Sequence, residues 1–453
     1  NYPLLKGIQT NLFKCFLPQA WQAGNSSAVS GFLHPEGVYD DPNGGLLRAA
    51  IYPRLKGHYQ FQNQYMLFPI GHRNKYSINI YKPSGEVKFD SIANLFLPKT
   101  IDYCYQHDGD DMVGGIKNDI GEWDIIGHKY RVLKIQTKQL ALFSALYDKA
   151  GTPTSQAHLP VLHSKQLVNV LEKFAAQPLR VGDLQGSYYS LEMWHETNAV
   201  KDGTIKRQTK FINDTKQWIL SGPHFYIGTP MYKTPRVVCA EKGDYDVLDL
   251  MVLSDNYLPR TNYIVACDFA EYQRRVPRVS WSEPSEIGPL LPKRVIEYYR
   301  LNCRAMISIG AEKGLVSSIV PKNTAHTNGV RTYIFRDINH TVYFGSFCFS
   351  LVWDFFVKLS GRTNLHQMLD DYPFIKDFDF KSSLVLRALN LNCLTTHYSE
   401  LWQSTYQSQF KQDHWAKYDL RLPNQFFQQF TSDWQRNCAL RTDYNRRQAL
   451  VEI

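Results

Sequence analysis

The sequence lacks the features of membrane and secreted proteins. No apolar run approaches the roughly 20 residues of a membrane-spanning helix, and no secretory signal peptide opens the chain. The eight cysteines lie far apart, without a Cys-x-x-Cys pair or a Cys/His cluster at zinc spacing. Such cysteines indicate reduced thiols in a cytosol. These absences together predict a soluble cytoplasmic protein without a metal site.

Several catalytic motifs are absent as well. The chain has no Gly-x-x-x-x-Gly-Lys phosphate loop and no Gly-x-Ser-x-Gly elbow. HETNA at His195 starts like a zinc-protease motif, but no second His follows four residues later, so we interpret it as a polar turn. Glu86 and Lys88 fit the Glu-x-Lys of restriction nucleases. No Pro-Asp partner precedes them at strand spacing, and we interpret this match as chance.

The chain is large and moderately basic. Its 453 residues, 43% of them hydrophobic, are enough for two to four domains with their own cores. The net charge of +9 permits a polyanionic partner, but many enzymes share such a charge, so it decides nothing alone. Because the sequence opens on Asn1 and stops within a helical pattern, we expect it to be a piece of a longer protein.

Helix and strand signals alternate in the first hundred residues. Apolar residues at helical spacing predict a helix over 10–22. The apolar run over 28–37, closed by Pro and Gly, predicts a buried strand that ends in a loop. A helix over 46–56 and strands over 58–68 and 76–81 follow. Strand, helix, strand, strand is typical of half of a doubly wound sheet whose last two strands form a hairpin.

The rest of the chain changes character twice. Gly-rich turns mixed with helices predicted over 138–148 and 164–174 indicate a connector. Short aromatic and β-branched stretches broken by Pro and Gly then predict a mixed, β-rich domain with long loops, and the tail is helical. The predicted class is α/β plus α+β, with four parts: 1–105, 106–200, 201–381 and 382–453.

Residues 9–39, QTNLFKCFLPQAWQAGNSSAVSGFLHPEGVY, resemble the segment that follows the catalytic loop of amino-methylating adenine DNA methyltransferases. GGLLRAAIYPRLKGHYQFQNQYMLFP is similar to that family's next helix and strand, and KYSINIYKPSG to its final strand. The pieces keep the family's order and spacing. The resemblance implies that the first part is the C-terminal half of a Rossmann-like class I methyltransferase sheet, in an enzyme that uses S-adenosylmethionine.

Two sequence motifs of that family are missing from this chain. Its catalytic loop reads Asn or Asp, then Pro-Pro and an aromatic residue, and no Pro-Pro occurs in this chain. Nothing before Asn11 supplies the Gly-containing turn for the methyl donor. We therefore expect no catalytic residue here, donor binding mainly by residues outside the chain, and no activity of the chain alone. We also expect an upstream segment or a second chain to complete the sheet and cover its edge.

Phe68 matches the residue that stacks on the target base in this family. Methylation of an adenine amino group requires the base to leave the duplex, and an aromatic face then replaces its lost neighbours, which contributes roughly 1–3 kcal/mol. The alternative is that Phe68 only packs a strand end. His34, Pro35 and Glu36 follow a predicted strand and are further candidates to line the base pocket, with a solvated turn as the alternative.

Two later stretches, 218–236 and 257–281, resemble the target-recognition regions of large restriction-modification methyltransferases. Both place cations among aromatic residues, a mixture that contacts phosphates and bases. A third stretch, 298–330, resembles the later half of such regions. For each cation a solvated surface charge is the alternative. The candidate DNA-binding residues are Lys233, Arg236, Arg260, Arg274, Arg275, Arg278, Lys322, Asn323, Thr324 and His326.

The sequence therefore predicts part of a site-specific adenine DNA methyltransferase of a bacterial restriction-modification or phage-defence system. We expect its partners to be double-stranded DNA and other restriction or defence subunits. We expect no membrane association and a location in the cytoplasm, near the nucleoid. A non-catalytic DNA-binding specificity subunit, or a scaffold of a defence complex, is the alternative. A Gly-rich donor turn and a Pro-Pro-aromatic loop before Asn1 would distinguish the enzyme from the subunit.

Overall fold

The computed structural model describes residues 2–9, 11–149, 151–228, 231–283, 292–307, 311–366, 368–376 and 378–453. The chain folds into two compact units of mixed α/β structure. Unit 1 comprises Asn1–Arg180, Leu359–Gly361 and Asp371–Pro373. Unit 2 comprises Val181–Lys358, Arg362–Asp370 and Phe374–Ile453.

This division differs from the four parts expected from the sequence. The predicted boundary at 105/106 falls inside the helix Lys99–Gln106, the one at 200/201 inside Glu196–Lys201, and the one at 381/382 inside Lys381–Asn392. A helix keeps its backbone hydrogen bonds only if it stays continuous, so none of these positions is a linker.

Unit 1 is built on a sheet in the order β1-β3-β2-β4-β5. β3 lies between β1 and β2 and is antiparallel to both, β2 and β4 are parallel, and β5 is antiparallel to β4. The strands are β1 Ser30–Pro35, β2 Leu55–Gln62, β3 Lys75–Tyr81, β4 Lys88–Leu95 and β5 Leu133–Gln136. The helices are α1 Leu12–Ala23, α2 Gly37–Asp40, α3 Gly45–Ile51, α4 Lys99–Gln106, α5 Thr137–Tyr147 and α6 Gln166–Ala175.

Most predicted elements of this unit are confirmed, and the differences have local causes. The predicted helix over 46–56 ends earlier, because Pro53 has no amide hydrogen to continue it and the chain tightens into a 3-10 turn. The predicted strand over 58–68 ends at Gln62, since a 3-10 turn begins at Asn63. The hairpin of β2 and β3 is confirmed, with Tyr59 opposite Ile78.

Buried arginines hold unit 1 together through main-chain carbonyls. The guanidinium of Arg131 donates to the carbonyls of Ile126, Ala93 and Asn94 at 2.9–3.1 Å, and burial lowers its pKa. Arg48 of α3 donates to the carbonyl of Gln156 at 2.9 Å. Arg48 therefore ties the segment that the sequence indicated as a connector directly to the first hundred residues.

Unit 2 contains a four-stranded antiparallel sheet in the order β13-β12-β15-β6 and the two-stranded pairs β7/β11, β9/β10 and β8/β14. The strands are β6 Tyr188–Leu191, β7 Ile205–Lys210, β8 Ile219–Leu220, β9 Lys233–Pro235, β10 Tyr245–Val247, β11 Thr261–Val265, β12 Arg300–Arg304, β13 Ser317–Val320, β14 Ala325–His326 and β15 Val330–Phe335. The helices are α7 Glu196–Lys201, α8 Phe269–Arg275, α9 Ile338–Phe349, α10 Leu351–Leu359, α11 Lys381–Asn392, α12 Ser399–Thr405, α13 Gln425–Gln428 and α14 Asp443–Glu452.

The apolar helix α9 is buried within unit 2, where Val342, Phe344 and Phe349 are inaccessible to solvent. Helix α11 joins the same core, because the Asn392 side chain accepts the main-chain amide of Ile319 in β13 at 2.9 Å. Among the described residues no single helix is long and apolar enough to cross a membrane. The pair α9 and α10 reaches that length and composition only together, with a bend of 69° between the two helices.

A buried ion-pair group joins α11 to the C-terminal region. Arg387 donates to Asp413 and to Glu452, each at 2.7 Å, and its guanidinium lies near the rings of Trp415 and Phe427. The three charged side chains are nearly inaccessible to solvent. Removal of the cation would leave two buried carboxylates without their counter-charge.

We predict that Arg387→Ala lowers the free energy of unfolding by roughly 3–5 kcal/mol, the range observed when one partner of a buried pair is removed. Urea denaturation measures this change. Arg447→Ala, which removes an exposed pair with Glu312, is the control and should change the free energy by less than about 1 kcal/mol. Equal effects of the two substitutions would contradict the prediction.

Candidate nucleic-acid interface

The residues proposed to line the base pocket lie at the end of β1. His34 is buried: its Nδ1 is 2.8 Å from the carbonyl oxygen of Pro35, its Nε2 is 3.1 Å from the Tyr81 hydroxyl, and Phe13 stacks on its ring. Burial lowers the pKa of His34. His34 is therefore a core residue and not an open pocket residue, which corrects the prediction for it. Pro35 is exposed, and its contact with a base stays a prediction.

Glu36 belongs to a polar network on the sheet. Its carboxylate lies 3.1 Å from Nε2 of His58, whose Nδ1 lies 3.0 Å from the Ser91 hydroxyl. Burial opposes ionisation of Glu36, but the charge and hydrogen bond of His58 lower its pKa below the ordinary value. Glu36 is thus an ionised, nearly buried group within unit 1, and a role at a target base stays a prediction.

Phe68 lies in a loop and not at a strand end, which corrects its predicted position. The side chain of Asn63 accepts the amide of Phe68 at 3.2 Å and donates to the carbonyls of Phe68 and Ile70 at 2.9 and 2.8 Å. The Phe68 ring meets Tyr76 edge-on at 5.0 Å and stays 37% exposed. Phe68 therefore both packs on a strand residue and presents a face to solvent.

The 65–70 loop exposes an unusual number of large apolar side chains. Those that are exposed are Tyr65, Met66, Leu67, Phe68 and Ile70. His72 and Arg73 follow directly and are exposed as well. A contiguous apolar surface next to a cation is typical of a binding site, since solvent contact of this kind is unfavourable without a ligand.

In unit 2, three predicted DNA-binding cations lie around β9. The main-chain amide of Arg260 donates to the Thr234 hydroxyl oxygen at 2.9 Å, and its Nη1 donates to the carbonyl of Pro235 at 3.1 Å. The guanidinium lies 4.2 Å from the centre of the Phe211 ring. Lys233 lies over the Tyr226 ring, and burial lowers its pKa.

Arg236, the third of these cations, is exposed and forms an ion pair with Asp246 at 2.8 Å. A phosphate would have to compete with that carboxylate for the guanidinium. Arg236 is therefore a weaker candidate for a phosphate contact than its exposure suggests.

The arginines at α8 are engaged within unit 2. Arg274 and Arg275 both pair with Glu271, and Arg275 also donates to Thr204 at 2.6 Å. Arg278, after the helix, donates to the carbonyl of Pro292 at 2.5 Å. Arg275 therefore has a structural role, and base or phosphate contact by this group stays a prediction.

The predicted polar loop at 322–326 is partly wrong. Lys322 pairs with Glu400, and Asn323 has a left-handed backbone with φ of +67°. Thr324 and His326 are fully buried. Burial lowers the pKa of His326 to about 3, with the Arg300 charge as a second cause.

Both buried residues are held in the interior by specific partners. The Thr324 hydroxyl donates to the carbonyl of Pro321 at 2.9 Å and accepts from Arg300. His326 lies in β14, which pairs with β8. Neither Thr324 nor His326 is placed to contact a base edge, which corrects the prediction for these two residues.

A basic strand that was not predicted from the sequence lies close to Arg260. β7 exposes Lys206, Arg207 and Lys210, and it pairs with β11 across a bulge. Within the part of the chain that the structure describes, neither Lys206 nor Lys210 forms an ion pair. The sequence IKRQTK, which spreads three cations along a short strand, could have predicted this basic surface.

A cavity of about 630 Å³ opens beside this strand. Its lining includes the cations Arg207, Lys242 and Arg304 and the amide side chains of Asn262 and Asn328. Arg207 donates to the carbonyl of Ala240 at 2.5 Å, which fixes the loop that borders the cavity. The exposed lysines and this cavity make β7 an accessible cationic surface close to Arg260.

Comparisons with known proteins do not identify a family. No family model matches the chain, and no curated protein matches it. Among solved structures, the chain is similar to the type IIG restriction endonuclease BpuSI, with 10% identity and a TM-score of 0.31. The match covers 90% of this chain and 48% of that one, so the chain spans about half its length. A similarity at this level does not establish a shared fold.

Two buried histidines make unit 2 sensitive to acid. Burial lowers the pKa of His224 to about 4 and that of His326 to about 3, from the ordinary 6.5. As the pH falls, these two histidines therefore take up protons at a higher pH in the unfolded chain than in the folded chain. We predict that stability is fully present above about pH 7 and falls below about 6.5, by up to about 1.4 kcal/mol per pH unit for each histidine.

Urea denaturation at pH 7.5, 6.5 and 5.5 measures this decrease. His72→Gln, at an exposed histidine of unit 1, is the control and should leave the slope unchanged. A free energy of unfolding that stays constant over this range would contradict the lowered pKa values of His224 and His326.

Proposed function

We propose that this chain is the target-base and DNA-recognition part of a site-specific adenine DNA methyltransferase that uses S-adenosylmethionine. The system would be a bacterial restriction-modification or anti-phage defence system. The observation that carries the proposal is the 65–70 loop. This loop exposes five large apolar side chains, including Phe68. Phe68 is the residue that, by the sequence resemblance, would stack on the target base.

The arrangement of this loop suits an extruded base. Asn63 holds the main chain of Phe68 and Ile70, so the ring is positioned before any ligand binds. Stacking of a base on such a ring contributes roughly 1–3 kcal/mol. Met66 and Leu67 beside it are apolar side chains of the type that other proteins insert between base steps, and Arg73 is a cation for the adjacent phosphate.

The sheet of unit 1 supports the proposal that further strands complete it. Among the described residues β1 pairs only with β3, so its other edge carries main-chain donors and acceptors without a strand partner. Such an edge is a template for pairing. We propose that the strands of the donor-binding half, from an upstream segment or a second chain, pair with this edge.

Sequence recognition is assigned to unit 2. Lys206 and Lys210 supply cations for phosphates, and Lys233 and Arg260 lie on neighbouring elements of the same unit. Arg236, Arg274 and Arg275 are weaker candidates, because a phosphate must displace a carboxylate from each of them. Phosphate contacts of this kind position the duplex, whereas contacts to base edges discriminate the sequence.

We predict that Phe68→Ala in the complete protein lowers the rate of adenine methylation about 5- to 150-fold, the equivalent of roughly 1–3 kcal/mol of stacking. Duplex affinity should change less than about twofold, because the ring meets the base only after extrusion. Transfer of labelled methyl groups to a duplex measures the rate, and fluorescence anisotropy of a dye-labelled duplex measures the affinity.

Phe16→Ala, at an exposed aromatic residue of α1, is the matched control for that experiment. Unchanged methylation by the Phe68 variant would remove this residue from the base site. If the full reading frame binds DNA but methylates no adenine, the chain is a specificity subunit instead.

We predict that Lys206→Ala with Lys210→Ala weakens duplex binding and lowers the slope of log affinity against log salt by about 2, since each phosphate contact contributes about 0.9. Lys411→Ala with Lys417→Ala removes the same charge from exposed positions elsewhere in unit 2. Equal salt slopes for the two double variants would contradict the assignment of β7 to DNA.

A further inference from the structure

Two histidines and an aspartate of unit 1 converge on one point. Nε2 of His107 lies 3.3 Å from Oδ1 of Asp111, and Nε2 of His128 lies 3.5 Å from the same oxygen. The ligand atoms of all three side chains lie within 4.8 Å of one another. This His107/Asp111/His128 cluster shares no residue with the 65–70 loop and plays no part in the proposed function.

The distances to the Asp111 carboxylate fit a metal ion better than hydrogen bonds. Both separations exceed the usual range of about 2.7–3.2 Å for a hydrogen bond of this type. Nε2 of His128 does lie 3.1 Å from the main-chain carbonyl oxygen of Asp111, a contact that a bound ion would replace. Zinc binds imidazole nitrogen at about 2.0–2.1 Å and carboxylate oxygen at about 2.0–2.2 Å with tetrahedral geometry. Two such ligands are then about 3.3–3.5 Å apart, because the edge of the tetrahedron is about 1.6 times the bond length. The observed 3.3 and 3.5 Å match this edge.

The cluster lies where a cross-link would be useful. His107 follows the last residue of α4, and His128 precedes a 3-10 turn. The segment between them, 108–127, contains no helix or strand, although one isolated bridge joins Lys117 to Trp123. A long irregular segment loses much conformational entropy when it is ordered. An ion held by His107 and His128 would close this segment at its base.

The surroundings leave the carboxylate available. The neighbouring Asp110 pairs with Lys129 at 2.7 Å. The side chain of Asp111 is 70% exposed, which leaves room for water as a fourth ligand.

We propose that His107, Asp111 and His128 bind a divalent cation of the zinc class, with the fourth position open to water. Two imidazoles and one carboxylate are a ligand set that selects zinc, cobalt or nickel over magnesium and calcium. Nδ1 of His128 accepts the amide of Tyr130 at 3.0 Å, so its ring proton is on Nε2 in the free protein. Binding through Nε2 moves this proton to Nδ1 and replaces the contact of Nε2 with the Asp111 carbonyl by a metal–nitrogen bond. The amide of Tyr130 then loses its acceptor and must turn to water.

The test is a titration of the untagged, metal-free chain with Zn²⁺ by calorimetry, and with Co²⁺ by visible absorption, which reports tetrahedral coordination. We expect one ion per chain and a higher unfolding temperature with Zn²⁺, but not with Mg²⁺ or Ca²⁺. Asp111→Asn and His107→Ala should each lower the affinity at least about 10- to 100-fold, the loss already seen when only a supporting residue of a metal ligand is removed.

Asp111→Asn is the decisive variant, since an exposed side chain of unchanged shape should not disturb folding. His72→Ala, at an exposed histidine of the same unit, should bind like the unaltered chain. No zinc binding by the unaltered chain, or equal binding by the Asp111 variant, would overturn the proposal. The second result would place the ion elsewhere, for example on the thiols.

Discussion

The amide side chain of Asn63 is the interaction on which the candidate base site depends. It is buried at the end of β2 and satisfies three main-chain groups of the following loop. These bonds fix the main chain of the residues that follow the strand, so that their large apolar side chains stay partly in solvent. An apolar loop without such support would collapse onto the nearest hydrophobic surface. The exposure of Phe68 is therefore built into the strand end, and it is available before a base arrives.

Periodicity in the sequence was sufficient for α1, α3, α5, α6 and for β1 to β3. It failed where packing or a single side chain decides the structure. β4 was not predicted, because it lies between two other strands and nearly all of its residues are buried, which removes the alternation of polar and apolar positions. The overlong strand at 58–68 has a different cause. Its residues favour extended structure, but Asn63 offers its own hydrogen bonds to the backbone and stops the ladder. Domain boundaries failed for a third reason: changes in composition fell within continuous helices.

The candidate site was harder to predict than the fold, because the charge of a side chain says nothing about its partner. Lys322 meets Glu400 and Arg275 meets Asp202, pairs that are 78 and 73 residues apart in sequence. Only the folded chain brings these groups together. Thr324 and His326 look like loop residues in the sequence, yet the pairing of β14 with β8 takes His326 into the interior. The sequence did not predict the His107/Asp111/His128 cluster, because the expectation of no metal site rested on cysteine and Cys/His spacing, whereas this cluster combines two histidines with an aspartate.

The two surfaces proposed for DNA act through different physical effects, and they therefore act at different steps. The cations of β7 attract phosphates at long range, so they contribute to encounter and to affinity for any duplex, and salt weakens them. The 65–70 loop offers almost nothing to a base that is still stacked, because its aromatic and apolar side chains need a base that has left the helix. Its stabilisation appears only after extrusion and is insensitive to salt. An interaction that is stronger in the later state than in the first complex accelerates the reaction without tightening binding. If the chain instead belongs to a binding subunit, the exposed loop has no such later state to stabilise, and its apolar side chains would have to contribute to binding itself.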